Sequence, residues 1–239
     1  MSPGSFHPVA PRCLTRSATA RRGRRFSVLI AVVCTALIVA AVPASAVGSV
    51  AYSPGAHVGG QSLSRLAHRN FQWLVTATGD RSPFNNPDAC RTRGEANEDV
   101  ALLPPPVSIG EVSHCTLDAG QDMLVTPAGS FCFSADVESG QTLPQCASTG
   151  WPPISQSIVV DGTPVTGLSA YAIASGVLPV NLKADNPFGK PAGPDTYAFI
   201  GTFVVLRAMR PGTHQVQLTA DAGPGGQFSS TIIVTVRRH

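Results

Sequence analysis

The first 46 residues constrain this chain most. They carry six arginines (Arg12, Arg16, Arg21, Arg22, Arg24 and Arg25) and no acidic residue. An apolar run from Phe26 to Val42 follows, broken only by Ser27 and Thr35, and then come Pro43 and the triplet Ala44-Ser45-Ala46. A positive segment, an apolar segment and an A-x-A site in that order form a secretory signal. The arginines stay on the cytoplasmic side while the apolar run enters the bilayer as a helix. Pro43 ends the helix and leaves Ala44 and Ala46 extended for the peptidase. The alternative is an uncleaved anchor, since a run of 17 residues lies at the short end of the spanning range. Cys34, in mid-run, is a poor lipid-modified first residue. Arg24-Arg25 suggests twin-arginine export, but Ser27 spoils the apolar pair that should follow, and the strongly apolar run suits the general secretory route.

Cleavage changes the electrostatics. The whole chain carries +3, but all 14 acidic residues lie after Ala46 and only eleven basic residues remain there, leaving −3. The basic character belongs to the signal, so nothing argues for a nucleic-acid partner. Gly and Pro are abundant (23 and 21) and charge is sparse, a composition suited to many short strands joined by tight turns.

Four cysteines remain after cleavage: Cys90, Cys115, Cys132 and Cys146. In an exported chain they imply two disulfides with three possible connectivities. Pairing Cys90 with Cys115 and Cys132 with Cys146 closes the shortest loops and is preferred. Each unstrained bridge contributes about 3 kcal/mol by restricting the unfolded chain. A metal site is the weaker reading, because no C-x-x-C occurs and His114 cannot easily share a tetrahedral ion with Cys115 beside it.

Along the remaining chain, residues 47–61 read as a flexible lead-in. Leu63, Leu66, Ala67, Phe71 and Leu74 follow helical spacing, with Ser62 as N-cap, and predict one amphipathic helix over 62–76 with Trp73 at the edge of its stripe. Residues 80–98 form a polar loop tethered by Cys90. Pro104-Pro105-Pro106 favours a rigid connector over a central strand, with a ligand for a proline-reading domain as the alternative. Beyond Cys115 the pattern is β-like. Asp161-Gly162 signals a hairpin turn. Residues 197–206, with Gly201 as a bulge, then 214–218 and 230–236, predict a three-stranded meander. With about eight strands in all, the expectation is a mainly β, antiparallel β-sandwich, immunoglobulin-like or jelly-roll-like, with one N-terminal helix. Residues 62–239 form its single disulfide-bonded domain, a helix- and loop-rich half (62–150) followed by a meander half (151–239).

Trp73, Asn86-Pro87, Cys90, the stretch from His114 to Gly120 and Arg210-Pro211-Gly212-Thr213-His214 occur in this order. The order resembles a group of exported actinobacterial proteins without an assigned activity. There a Trp-bearing helix leads to an N-P loop and a cysteine, a C-x-x-P-A-G strand entry follows, and a P-G-x-H turn precedes the last strands. Asp118 stands where that pattern has proline, and the triple proline lies where it has an apolar strand. The resemblance implies no catalytic residues. The last strands also resemble immunoglobulin-like modules of bacterial surface proteins, which implies a fold and not an activity.

No H-E-x-x-H, G-x-S-x-G or P-loop is present. Gly167-Leu168-Ser169-Ala170-Tyr171 lacks the final glycine of a nucleophile elbow. His57, His68, His114 and His214 are each better explained by packing or capping than by catalysis. Glu95, Glu98 and Asp99 read as solvated loop charge rather than a glycosidase pair. Asp80, Asn85, Asn86 and Asp88 offer oxygens for calcium but fit Asx turns better. Trp151 beside Pro152 could stack on a sugar or peptide, though a half-buried turn residue fits better.

No catalytic, cofactor-binding or metal-binding residue is therefore assigned. The leading expectation is a secreted or cell-envelope binding or structural module whose partner is a protein or glycan at the cell surface, with membrane contact only through an uncleaved signal. The alternatives are a small secreted hydrolase built from scattered polar residues and an exported inhibitor presenting the loop closed by Cys132 and Cys146. N-terminal sequencing of the exported protein is expected to start at Val47 or its near neighbours; a start anywhere else would overturn the cleavage site. Intact mass is expected to rise by about four protons on reduction.

Overall fold

The computed structural model describes residues 49–93, 99–149 and 151–238, all within the compact unit Ser45–His239. The segment expected to serve as an export signal, Glu95 and Glu98 lie outside the described residues. The first strands are β1 (His57–Val58), β2 (Gln61–Ser62), β3 (Val100–Leu102), β4 (Glu111–Asp118), β5 (Asp122–Val125) and β6 (Gly129–Phe133). They are followed by β7 (Ser155–Val160), β8 (Thr163–Pro164), β9 (Ala172–Ala174) and β10 (Leu178–Leu182). The last are β11 (Gly193–Thr202), β12 (Val204–Leu206), β13 (Gly212–Asp221) and β14 (Gln227–Arg237). Two α-helices lie wholly among the described residues, α1 (Leu63–Thr76) and α2 (Leu143–Ala147).

The expected helix is present with its expected cap. Ser62 Oγ accepts the Arg65 N–H at 3.3 Å, satisfying one of the open amides of the first turn. Leu63, Leu66, Ala67, Phe71 and Leu74 are buried, and so are Asn70, Trp73 and Val75. Trp73 is thus inside rather than at the edge, because α1 is covered over more than its apolar stripe. The lead-in is more ordered than its Gly/Ser content suggests. Ala51 bridges Leu206, the Tyr52 N–H donates to Val205 O, and Arg207 stacks 4.1 Å from the Tyr52 ring centroid. Gly59 and Gly60, both at positive φ, join β1 to β2 in a tight hairpin.

The chain is mainly β, in several open sheets. The largest has the order β4-β14-β13-β7-β8. Its inward positions alternate as the sequence does: Val216, Leu218 and Ala220 on β13, Ile232, Val234 and Val236 on β14, Cys115 and Leu117 on β4. The Asp161-Gly162 turn closes β7 onto β8, with Val160 opposite Thr163 and φ positive at both turn residues. Two pairings depart from an all-antiparallel plan: β4 runs parallel to β14, and β3 parallel to β5. Alternation fixes which face of a strand is buried but not which neighbour it takes, so these partners were invisible in the sequence.

The meander also needs correction. β13 and β14 form the expected hairpin, but the other neighbour of β13 is β7. The apolar run 197–206 divides at Phe203. Its first part, β11, pairs β6 on one side and β10 and β9 on the other; its second, β12, pairs β5. Gly201 serves this crossing by close approach rather than as a bulge. A Cβ there would lie 3.0 Å from Phe203 Cε2 and 3.1 Å from the Ala128 carbonyl oxygen.

One continuous apolar core joins α1, the β3-β5-β12 sheet, β6, β10, β11 and the inner face of the large sheet. Its densest part is aromatic. Phe71 of α1 stacks on Phe199 of β11 at 4.2 Å with the rings 8° apart, and Phe131 and Phe203 meet Phe71 edge-on. On the opposite face of β11, α2 packs Leu143 and Ala147 on Ala198. Both disulfides follow the short-loop pairing, Cys90–Cys115 and Cys132–Cys146. Phe199→Ala is expected to lower the unfolding free energy by about 3–5 kcal/mol, measured by denaturant titration, because it empties a fully enclosed ring site.

Candidate functional site

Two loops and one edge strand build the region with most binding character. In the loop after α1, the Asn86 amide donates to Asp80 O at 2.9 Å and its Oδ1 accepts the Asp88 N–H at 3.0 Å. These bonds, with the Cys90–Cys115 bridge, fix the turn that presents Phe84. In the loop 183–190, buried Asn186 uses its whole side-chain capacity. Its amide donates to the carbonyls of Lys183 and Lys190, and its Oδ1 accepts the N–H groups of Phe188 and Lys190. That loop holds Phe188 between Phe84, Phe131 and Phe133, at ring-centroid distances of 5.1 to 5.3 Å.

Next to this aromatic group lies an apolar groove of about 280 Å³. Phe71 and Leu74 of α1, Phe131 of β6 and Phe228 at the start of β14 form part of its lining, and Phe84 and Pro105-Pro106 contribute from two loops. Among the described residues no charged one lines it. Its polar element is Thr126, whose hydroxyl oxygen accepts the Asn70 amide at 3.3 Å. A larger hollow of about 660 Å³ lies by Trp73, Asp80, Asn86 and Asp88. Several of its polar groups are already committed to the loop's own turns, so the smaller apolar groove is the better candidate for a ligand.

The residues singled out from sequence are scattered. The Asp80–Asp88 loop forms Asx turns, and among the described residues no group of three His, Cys, Asp or Glu side chains is placed to hold a metal ion. Asp88 Oδ1 instead accepts the His114 N–H at 2.6 Å on the outer edge of β4. Ser169 sits in a single exposed turn, and neighbouring Tyr171 donates its hydroxyl to Tyr52 O. Trp151 is half-buried and Asp99 is exposed. The groove residues Phe84, Phe131 and Phe228 were not singled out. The available signal was phenylalanine in or beside loops rich in Pro and Gly, and the triple proline supplies two wall residues as well as a connector.

Two histidine rings lie against carboxylates, His114 with Asp88 at 3.4 Å and, more tightly, His214 with Asp161. His214 Nδ1 lies 2.7 Å from Asp161 Oδ2, and Nε2 lies 2.8 Å from Arg210 O. Both partners accept, so the ring donates from both nitrogens and carries a positive charge in this geometry. Burial opposes that charge, but the Asp161 side chain and the Arg210 carbonyl outweigh it and raise the His214 pKa above the usual 6.5. Burial likewise disfavours the Asp161 anion, but the Gln215 N–H and His214 outweigh it and hold the carboxyl below the usual 3.8. The group clasps the β7-β8 turn to the start of β13. With Nε2 spent on a backbone carbonyl, it does not present a base to a nucleophile.

No protein-family model and no curated protein matches the chain. Among solved structures, PbICP-C in complex with falcipain-2 aligns with 54% of this chain and 91% of its own at 11% identity, with a TM-score of 0.23. Amebosin aligns with 54% and 98% respectively at 11% identity, with a TM-score of 0.18. Scores this low carry neither fold nor function across.

The clasp has a definite pH dependence. The His214 contribution is complete below about 6.5 and is lost as pH rises through its raised folded value; that of Asp161 is present above about 3.8 and is lost as pH falls through its lowered value. Asp161→Asn preserves the turn preference and removes the charge. It is expected to cost more stability at about pH 5 than at about pH 9, and to lower the His214 titration midpoint followed by NMR.

Proposed function

We propose that the chain is an exported, non-catalytic binding module that takes a cell-surface protein or glycan in its apolar groove. The observation that carries this reading is the groove itself. Aromatic and proline side chains from α1, β6, β14 and two loops converge on a hollow with no charged lining among the described residues, and the hydrogen-bonded turns around Asn86 hold the loop that presents Phe84. Half-buried rings at such a site gain from desolvation at little cost in ordering. Two disulfides fit an oxidising compartment, and among the described residues no helix is long and apolar enough to cross a membrane. Together with the export signal, they support release from the cell or residence in its envelope.

The fold in this reading is a β-sandwich. The large sheet forms one layer, the β10-β11-β6 and β12-β5-β3 sheets form the other, and their inner faces share one core. The likeness to exported actinobacterial proteins fits that plan, through the N-P loop that presents Phe84 and the Pro-Gly-x-His turn that enters β13.

A second reading, an exported inhibitor, rests on the loop between Cys132 and Cys146. Its residues Glu138-Ser139-Gly140 are exposed, while the Asp136–Lys190 ion pair, the Ser134–Asp195 hydrogen bond and the disulfide brace its ends. Replacing both Phe84 and Phe228 by Ser is expected to weaken binding of an apolar fluorescent dye by about tenfold with the fold retained in circular dichroism. Ester, peptide or glycoside turnover abolished by a single side-chain change would overturn the non-catalytic reading. Stoichiometric inhibition of a protease, lost on Glu138→Ala or Ser139→Ala, would move the function to the loop.

A further inference from the structure

We infer that the groove's partner is an extended segment of another polypeptide, which adds as a strand to the free edge of β6; this rests on the groove being the binding site. In an antiparallel pair, residues alternate between positions bonded to the partner strand and positions whose N–H and C=O point away from it. Phe199 sends both main-chain groups away from β6. Its N–H donates to Ser175 Oγ at 2.8 Å and its C=O accepts the Ser175 N–H at 2.8 Å. Its register partner Phe131 therefore points its own N–H and C=O outward from β11, as do Gly129 and Phe133, two residues to either side.

The outermost of these positions on the α2 side is closed: the Phe133 N–H donates to Asp136 Oδ2 at 3.0 Å. Gly129 and Phe131 have no main-chain or side-chain hydrogen-bond partner on that edge among the described residues. Gly129 is exposed and Phe131 half-exposed, so the edge is accessible. The two residues that offer unused groups also line the groove. On the open side of β4, by contrast, the Asp88 carboxylate takes the His114 N–H, and the Cys90–Cys115 bridge anchors the loop that supplies it. An unprotected edge is ordinarily blunted by charge, proline or a covering loop. Here the exposed stretch of two unpaired positions carries none of these and opens beside an apolar hollow.

A strand laid antiparallel or parallel to β6 would exchange bonds with Gly129 and Phe131 and drop alternate side chains toward the groove, which supplies main-chain affinity and side-chain selection together. The absence of charge in the lining selects uncharged apolar residues at those positions. A glycan, with no regular row of paired amide donors and acceptors, matches this edge less well.

The test uses the full exported chain, labelled with 15N, and a panel of acetylated, amidated octapeptides alternating Thr with Val, Leu, Ile or Phe. Each peptide is matched by a copy N-methylated at alternate amides, which keeps the side chains and removes the main-chain donors. At least one unmodified peptide is expected to bind saturably, shifting the Gly129 and Phe131 amide signals and slowing their hydrogen exchange. Its methylated copy is expected to bind about tenfold more weakly or worse, the loss of at least two hydrogen bonds. Equal binding of both copies would overturn strand addition while leaving the groove in place. Absence of binding across the panel, with the apolar dye still taken up, would overturn it in the same way. Failure of the dye as well would remove the groove reading. Protection of Phe131 that rises with protein concentration in the absence of peptide would overturn the proposal in favour of a second copy of this chain.

Discussion

The stack of Phe71 on Phe199 is where this molecule is tied together. Phe71 comes from the only long helix among the described residues and Phe199 from the strand that touches three others, so one ring contact joins α1 to a whole sheet. The neighbouring strand residue Gly201 and the sheet-switching residue Phe203 both depend on it. Phe203 closes edge-on against both stacked rings, and Gly201 lets the backbone pass Ala128 while the ring turns inward. Aromatic pairs in offset or edge-on geometry add to the area they bury, so the arrangement is stabilising as well as space-filling.

The same cluster sets up the groove. Phe131 faces Phe71 from β6 and also meets Phe188, which in turn meets Phe84. The series runs from fully buried rings to half-exposed ones without a break. The two loops are therefore anchored to the core by their own phenylalanines, and the rings that line the groove are held by packing from behind. The disulfides act at other points, fastening the Cys90 loop to β4 and α2 to β6. The groove and the core nevertheless share residues, since Phe71 and Phe131 pack against each other and also line the hollow.

Much of this was legible in advance, and the legible part has a common character. Ser62 and the Leu63-to-Leu74 stripe specified α1; Asp161-Gly162 specified its hairpin; Val216 to Ala220 and Ile232 to Val236 specified two strands and their inner faces. These are local signals, arising from side chains a few residues apart on one element. The failures were non-local. The parallel union of β4 with β14, the transfer of the chain between sheets at Phe203, and the ordering of Ala51 and Tyr52 against β12 depend on contacts between residues far apart in the chain. The candidate site belonged to the second kind. Phe84, Pro105, Phe131 and Phe228 are far apart in the chain, and no spacing rule unites them.

By itself, the sequence determined that an arginine-rich, apolar N-terminal stretch precedes a mildly acidic part with the composition of a β-rich domain, and that four cysteines there are available to be paired. Composition and short-range periodicity suffice for those conclusions, because each depends on the chemistry of a contiguous segment. Only the tertiary structure decided which strands are neighbours, which edge is left open, and where uncharged aromatic and proline side chains converge. Pairing and convergence are set by how apolar faces bury one another across the whole core, a balance of many weak contacts that no single segment encodes.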